Sequence, residues 1–482
     1  MESELKIVFA ASELAGIVKT GGLADAVCAL ASAMVKEGHN VCVMMPAYRE
    51  ALSHIDSEEV VSGSVVMNNY LNISYSVRKC CLDGVTVYLI EHHDYFDRPG
   101  LYAQNGEGYS DNSQRFAFFS KAILKSCQLL DFSPDIIHCH DWQTALLPYY
   151  LKTDECCNSF FDKTKSVLTI HNAAYQQHTD SHQLDNLGIA WRYFNSACFE
   201  DHNQINLLKG GIAFADRITA VSPSYAEELM TEIGGHGLVD SFRRRYSDFS
   251  GILNGCDYRY WNPETDKLIP ALFSCDEMHG KAVCKCALQD RFNLPVEDGV
   301  PLFGIVSRLA EQKGFSYLIP ALQSFLSNDV QLIILGSGDE GIAKNLQLFA
   351  ELYKDKCRFV NGFDNVLAHW IEAGSDFFLM PSLFEPCGLN QMYSLKYGSL
   401  PVVRSVGGLK DTVDSYSELG DQGTGFMFSL PNDHALLLCL NQALDVYKNP
   451  QVFKKMQRNA MNRAFTWDNA AAVFCELYRA ID

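Results

Sequence analysis

Basic residues are scarce in this chain. Thirty-nine lysines and arginines face 58 aspartates and glutamates, a formal charge of −19. Phosphate backbones select basic faces, so nucleic acid is not an expected partner. A small phosphate ligand stays open, because a few converging cations make a local site. Long apolar runs are missing as well. None approaches the roughly 18–20 residues that cross a bilayer, so no membrane partner is expected. The start, Met1-Glu2-Ser3-Glu4, has neither a basic n-region nor a small-residue cleavage site. No signal peptide is expected, and a cytoplasmic location is. Cysteine is plentiful, at 17, but metal or redox spacing is absent: Cys80-Cys81, Cys156-Cys157 and Cys284 with Cys286 make no CxxC. Small, mostly buried, reduced thiols are the expectation.

What is present is a strand–helix rhythm. The chain has 482 residues, too many for one ordinary core, so two to three domains are expected. Apolar runs at 6–10, 40–46, 85–90, 135–140, 166–170 and 216–221 read as strands, with helices over 23–37, 113–130 and 223–230. Gly38 suits the end of the first helix, and Ser222-Pro223 suits the start of the third. Glycine, asparagine and proline cluster over 234–265, which reads as the linker. The rhythm restarts with strands at 301–307, 330–335, 376–380 and 400–404, and the chain from 432 onward reads as helical. Near-continuous apolar strands alternating with helices give an α/β fold with parallel sheets covered on both faces. The arginine run Arg243-Arg244-Arg245 reads as a solvated face or as one side of a cleft.

Six groups fall at expected strand ends, where open parallel sheets bind ligands. The first is Lys19-Thr20-Gly21-Gly22-Leu23, a strand–loop–helix junction that aims backbone N–H groups at an anion, with a lysine beside it. The others are His140-Asp141, His171-Asn172, Arg308 to Lys313, Glu385-Pro386-Cys387-Gly388 and Gly407-Gly408. Arg308 and Lys313 suit a diphosphate or are solvated charges. Glu385 either accepts from sugar hydroxyls or favours a helix N-terminus. Asp141 is a site carboxylate or a helix N-cap, and His171 a ligand group or a core histidine. Gly336-Ser337-Gly338-Asp339-Glu340-Gly341 matches the dinucleotide fingerprint GxGxxG. It is discounted, because Asp339 and Glu340 put carboxylates where a pyrophosphate must sit.

Together these stretches resemble the bacterial and plant glycogen and starch synthases. The carrying motifs are Lys19-Thr20-Gly21-Gly22-Leu23-Ala24-Asp25, His140-Asp141-Trp142, His171-Asn172-Ala173-Ala174-Tyr175-Gln176, Ser307-Arg308-Leu309 with Gln312-Lys313-Gly314, and Pro381-Ser382 with Phe384-Glu385-Pro386-Cys387-Gly388-Leu389. The resemblance implies a GT-B fold, two Rossmann-like doubly wound domains with an interdomain cleft. The expected division is 1–245 plus a returning C-terminal helix at 466–482 for the first domain and 246–465 for the second. It implies transfer of glucose from ADP-glucose, or alternatively UDP-glucose, to the non-reducing end of an α-1,4-glucan, with retention and without metal or cofactor. By resemblance His171 contacts the transferring glucose, Asp141 lies near the reacting centre and Glu385 holds the donor sugar. Lys19, Arg308 and Lys313 stabilise the departing diphosphate, with Gly21 and Gly22 beside Lys19. Cys387, Gly388 and Leu389 pack against the donor sugar, and Gly407 and Gly408 approach the diphosphate. Three residues depart from the family pattern: Gln143 for histidine, Leu383 for arginine and Val406 for threonine.

Overall fold

The structure is a computed structural model, and it describes residues 4–68, 70–154, 159–420 and 422–481. The pair Cys156-Cys157 lies outside the described residues. The chain divides into two compact units. One takes the chain to Val221, then Ala226–Gly255 and everything from Trp467; the other takes Ser222–Tyr225 and Cys256–Thr466.

The first unit is built on a nine-stranded sheet. Edge to edge, its strands are Phe249–Gly251, Arg217–Ala220, Lys165–Ile170, Ile136–His140, Lys6–Ala10, Asn40–Pro46, Val85–Glu91, Leu71–Leu82 and Glu58–Asn68. The first seven pair in parallel; the last two form an antiparallel hairpin on Val85–Glu91. Ile7, Val8, Phe9 and Ala10 are fully buried, as a strand covered on both faces requires. The stretch 246–255, expected in the second domain, belongs here, because Phe249–Gly251 pairs with Arg217–Ala220.

The helix Gly22–Lys36 buries Leu23, Val27, Leu30, Ala31 and Met34, one face at 3.6-residue spacing. It ends where Gly38 takes φ +89°, a conformation that favours glycine. Against it packs the last helix, Trp467–Arg479, through Ala470, Ala471, Phe474, Cys475 and Tyr478. Cys475 Sγ lies 3.4 Å from Met34 Sδ and 3.2 Å from His39 Nε2. The chain therefore returns to complete the first unit. In the arginine run, Arg243 and Arg244 are exposed, as a solvated face would be, while Arg245 donates to the carbonyls of Ile212, Ala213 and Ala215 and caps the helix Leu207–Phe214.

The second unit repeats the plan with six parallel strands, in the order Cys357–Asn361, Gln331–Gly338, Leu302–Leu309, Phe377–Met380, Leu400–Arg404 and Phe426–Phe428. Its main core joins Phe303, Ile305, Leu318, Leu322, Leu332 and Phe377. Among the described residues no helix is long and apolar enough to cross a membrane.

Candidate active site

Each sheet starts in its middle. In the first, the chain lays Lys6–Ala10, moves outward on one side, then returns to place Ile136–His140 on the other. In the second, Leu302–Leu309 plays the first part and Phe377–Met380 the second. Loops leaving the carboxyl ends of two such neighbouring strands diverge, and the gap is a ready ligand site. Lys19, Asp141, Lys313 and Glu385 follow these four strands, while His171 and Gly407 follow Lys165–Ile170 and Leu400–Arg404, each one strand further out.

In the first unit one side of the gap is the loop after Lys6–Ala10. Two of its amides are already taken by a carboxylate. Glu13, 4% exposed, accepts from the Thr20 amide, the Thr20 hydroxyl at 2.7 Å, the Gly21 amide at 3.3 Å and the Tyr102 hydroxyl at 2.6 Å. The expectation that these amides face an incoming phosphate is corrected: a resident carboxylate takes them. Lys19 is exposed and pairs with Asp25 at 2.7 Å. A Cβ at Gly21 or Gly22 would meet nothing within 4 Å.

The other side is Asp141, at the end of Ile136–His140. Its backbone takes φ +54°, ψ −168°, a sparsely populated region for a non-glycine residue. Its carboxylate does not cap the following helix. Oδ1 accepts from the His171 amide at 2.7 Å and the Asn172 amide at 3.4 Å, tying two strand ends together. Burial pushes the Asp141 carboxyl up to about 7, against the lowering effect of the two amides. His171 is half-buried, and its Nε2 lies 3.0 Å from His140 Nδ1. Burial lowers the His171 imidazole to about 3, so the ring is neutral at physiological pH. Trp142 packs edge-on against Phe116, as part of the wall.

In the second unit Lys313 and Glu385 meet across the switch point. Lys313 Nζ is 2.6 Å from Glu385 Oε2, which also accepts from Ser382 Oγ at 2.8 Å. The helix after Glu385 starts only at Asn390, so Glu385 is no first-turn carboxylate. The turn that brings Lys313 here needs Gly314: φ is +77°, and a Cβ would come within 2.0 Å of Pro381 O. Gln312 braces the same junction, donating to Phe384 O and accepting from the Leu383 amide. Arg308 is exposed, with Gln312 Oε1 3.5 Å away. Arg308, Lys313, Ser382, Glu385, Gly388 and Leu389 line a cavity of about 190 Å³. A larger hollow of about 730 Å³, between the helices Phe315–Phe325 and Glu340–Leu352, has no basic side chain in its lining and so does not suit a diphosphate.

Gly407 and Gly408 have a packing reason. A Cβ on either would come within 2.0 to 2.1 Å of the Glu385 and Cys387 carbonyls, and the Gly408 amide donates to Glu385 O at 3.1 Å. That donor is spent on holding the Glu385 loop. Cys387 is buried. At Gly336 to Gly341, Asp339 Oδ1 accepts from the Ile342 amide at 2.9 Å and caps the helix Glu340–Leu352. A carboxylate holds the place a dinucleotide pyrophosphate needs, in line with discounting the GxGxxG match. Of the departures, Val406 joins the apolar cluster of Val403, Leu409 and Val413, and Leu383 packs on the main core. Gln143 is buried with its Oε1 unpartnered among the described residues.

Sequence reasoning missed Glu13 and Tyr102, and it named Gln312 and Ser382 as motif residues without a role. Glu13 carried a faint signal, a lone carboxylate just past the first strand and ahead of the double glycine. Tyr102, and the bracing contacts of Gln312 and Ser382, act across the fold, where no local pattern announces them.

The family model for the starch synthase catalytic domain matches residues 6–244, and that for group 1 glycosyl transferases matches 288–461. A glycogen synthase of Aeromonas salmonicida is 47% identical, with 98% of each chain covered. One from Vibrio cholerae is 47% identical over 99% of each. Among solved structures, the catalytic domain of starch synthase IV from Arabidopsis thaliana, bound to ADP and acarbose, superposes with TM-score 0.89 at 31% identity over 99% of both chains. A sucrose-phosphate synthase from Thermosynechococcus elongatus, at TM-score 0.62 and 16% identity, shares the fold. The chain belongs to the glycogen synthase family of GT-B glycosyltransferases.

Proposed function

We propose that this glycosyltransferase moves glucose from ADP-glucose to the non-reducing end of an α-1,4-glucan, with retention at the anomeric carbon. The carrying observation is the Lys313–Glu385–Ser382 cluster at the second switch point. It sets a cation for a diphosphate beside a carboxylate for sugar hydroxyls, in one cavity that Arg308 also lines. The ADP in the similar starch synthase structure supports adenine as the base.

In this reading Arg308, Lys313 and Lys19 stabilise charge on the departing diphosphate, a pre-placed electrostatic effect. Glu385 holds the donor glucose, with Cys387, Gly388 and Leu389 packed beside it. Gly21, Gly22, Gly407 and Gly408 keep side chains away from the diphosphate. His171 contacts the transferring glucose. Asp141, already committed to the His171 and Asn172 amides, fixes that contact and sits near the reacting carbon. A cytoplasmic location goes with this reading.

The test is incubation with glycogen and labelled ADP-glucose or UDP-glucose, followed by counting label in the glucan. Label from ADP-glucose in α-1,4 linkage is expected. Preference for UDP-glucose would replace the donor assignment alone. No incorporation from either donor by folded protein would overturn the whole reading.

A further inference from the structure

Four aromatic rings cluster in the core behind His171, with Phe9 touching both His138, at 5.1 Å between centroids, and His140. Phe9 lies parallel to His140, with centroids 5.9 Å apart and planes 12° apart. His140 stacks on His138 at 4.3 Å and 29°. His138 is fixed at both nitrogens, by the Tyr478 hydroxyl at 2.7 Å from Nδ1 and by Thr169 Oγ1 at 2.6 Å from Nε2. Phe474, from the same last helix as Tyr478, closes on His138 at 5.2 Å. His140 is 1% exposed and meets His171 through one contact, Nδ1 to Nε2 at 3.0 Å.

One proton lies in that contact, because burial keeps both rings neutral. The question is which ring owns it. His140 Nε2 is buried with no hydrogen-bond partner among the described residues. If His140 accepted at Nδ1, its own proton would sit on Nε2 as an orphaned buried N–H. Buried N–H groups left without an acceptor are rarer in folded proteins than acceptors left without a donor. His140 therefore carries its proton on Nδ1 and donates. His171, accepting at Nε2, carries its proton on Nδ1.

The geometry points to His140 as a positioning residue that donates from Nδ1 to His171 Nε2, so that His171 presents an Nδ1–H donor to a hydroxyl oxygen of the transferred sugar. The sugar end of this inference rests on the proposed function; the tautomer does not. It gives the last helix a task at the site as well as in the core. Tyr478 and Phe474 hold His138, His138 holds the plane of His140, and His140 sets the proton of His171.

Nitrogen-15 NMR of protein labelled in its histidine rings separates the two tautomers by chemical shift and by long-range coupling to the ring protons. Comparison with H171Q assigns the peaks. The wild type is expected to show His171 protonated at Nδ1; protonation at Nε2 overturns the proposal without any activity measurement. The variants H140N and H140L are then compared, since the asparagine amide keeps a donor near the Nδ1 position and leucine removes it. H140L is expected to lower kcat about 10–100-fold, the scale for losing an orienting partner, with KM for the donor changed less, and to lose the single His171 tautomer. H140N is expected to recover most of that loss. Equal activity and equal tautomer in wild type and a folded H140L overturn the assignment. Should H140L not fold, the wild-type spectrum and the H140N rate decide. If the wild type transfers no glucose, the proposed function fails while the tautomer measurement still stands.

Discussion

Lys313 Nζ lies 2.6 Å from Glu385 Oε2, with both side chains largely out of water at 16% and 9% exposure. Arg308, on the same loop, is exposed. The two cations therefore separate function from stability. K313Q and R308Q are each expected to lower kcat/KM by about 10²–10³, the scale for losing one transition-state charge contact. Only K313Q strands a buried carboxylate. Breaking such a pair costs about 3–5 kcal/mol, and Ser382 keeps the loss toward the lower end. Thermal unfolding of both variants checks this; equal melting temperatures would remove the buried-pair argument.

The Asp141 carboxyl has a signed pH signature. Burial raises it from its ordinary 3.8 to about 7. Between those values the unfolded chain gives up the proton and the folded chain keeps it. Stability from this group is therefore full at low pH and declines as pH rises through the window, by about 1.4 kcal/mol per pH unit at most. Asparagine keeps an acceptor for the His171 amide and does not titrate. D141N is expected to gain stability on wild type as pH rises from about 4 to 7, while losing activity. Denaturant titrations at both ends of the window test it, and a constant difference refutes it.

Glu13 is expected to hold the Lys19 loop in place. E13Q weakens its bonds to Thr20, Gly21 and Tyr102, and bonds to a charged group contribute about 1.5–3 kcal/mol each. Amide exchange at Thr20 and Gly21 should accelerate at least tenfold, and KM for the donor should rise. Unchanged exchange would show that the loop holds itself.

Gly407 and the pair Gly21 and Gly22 should respond to substitution in two different ways. G407A puts a methyl 2.0 Å from Glu385 O at φ +41°, so it should destabilise the second unit and displace Glu385. G21A and G22A meet nothing within 4 Å and should fold as wild type. Loss of kcat/KM in a normally stable G21A or G22A would mark close approach of the ligand. Full activity in both would remove these glycines from the donor site.

The centre of each sheet was legible in the sequence, and the edges were not. Ile7 to Ala10 and Leu332 to Leu335 are buried on both faces, so their apolar runs are continuous and stand out. The hairpin Glu58–Asn68 with Leu71–Leu82 faces water on one side, and its alternation is diluted by serines, asparagines and exposed valines. Cys357–Asn361 and Phe426–Phe428 are short edge strands with the same weakness. The site divides along similar lines. Residues at the ends of central strands, such as Asp141, His171 and Glu385, could be named from their position in the rhythm. Asp141 as a tie between strand ends, and Glu13 as the occupant of the glycine loop, depend on contacts across the fold. A sequence pattern records neither.

The returning helix has a consequence for the order of synthesis. Tyr478 reaches His138 across 340 residues of chain, and Cys475 reaches His39 across 436. On the ribosome the first unit is translated through Gly255, but its final helix begins only at Trp467. At about 5–20 residues per second, the intervening stretch of second-unit sequence keeps that core unfinished for roughly 10–40 s. The groove that the helix fills is exposed throughout, with Met34 among the side chains left uncovered. The second unit is contiguous apart from four residues and can close while the first still waits. The last unit to finish is therefore the first to be made, and the ring cluster behind His171 is completed only after the helix from Trp467 has been made.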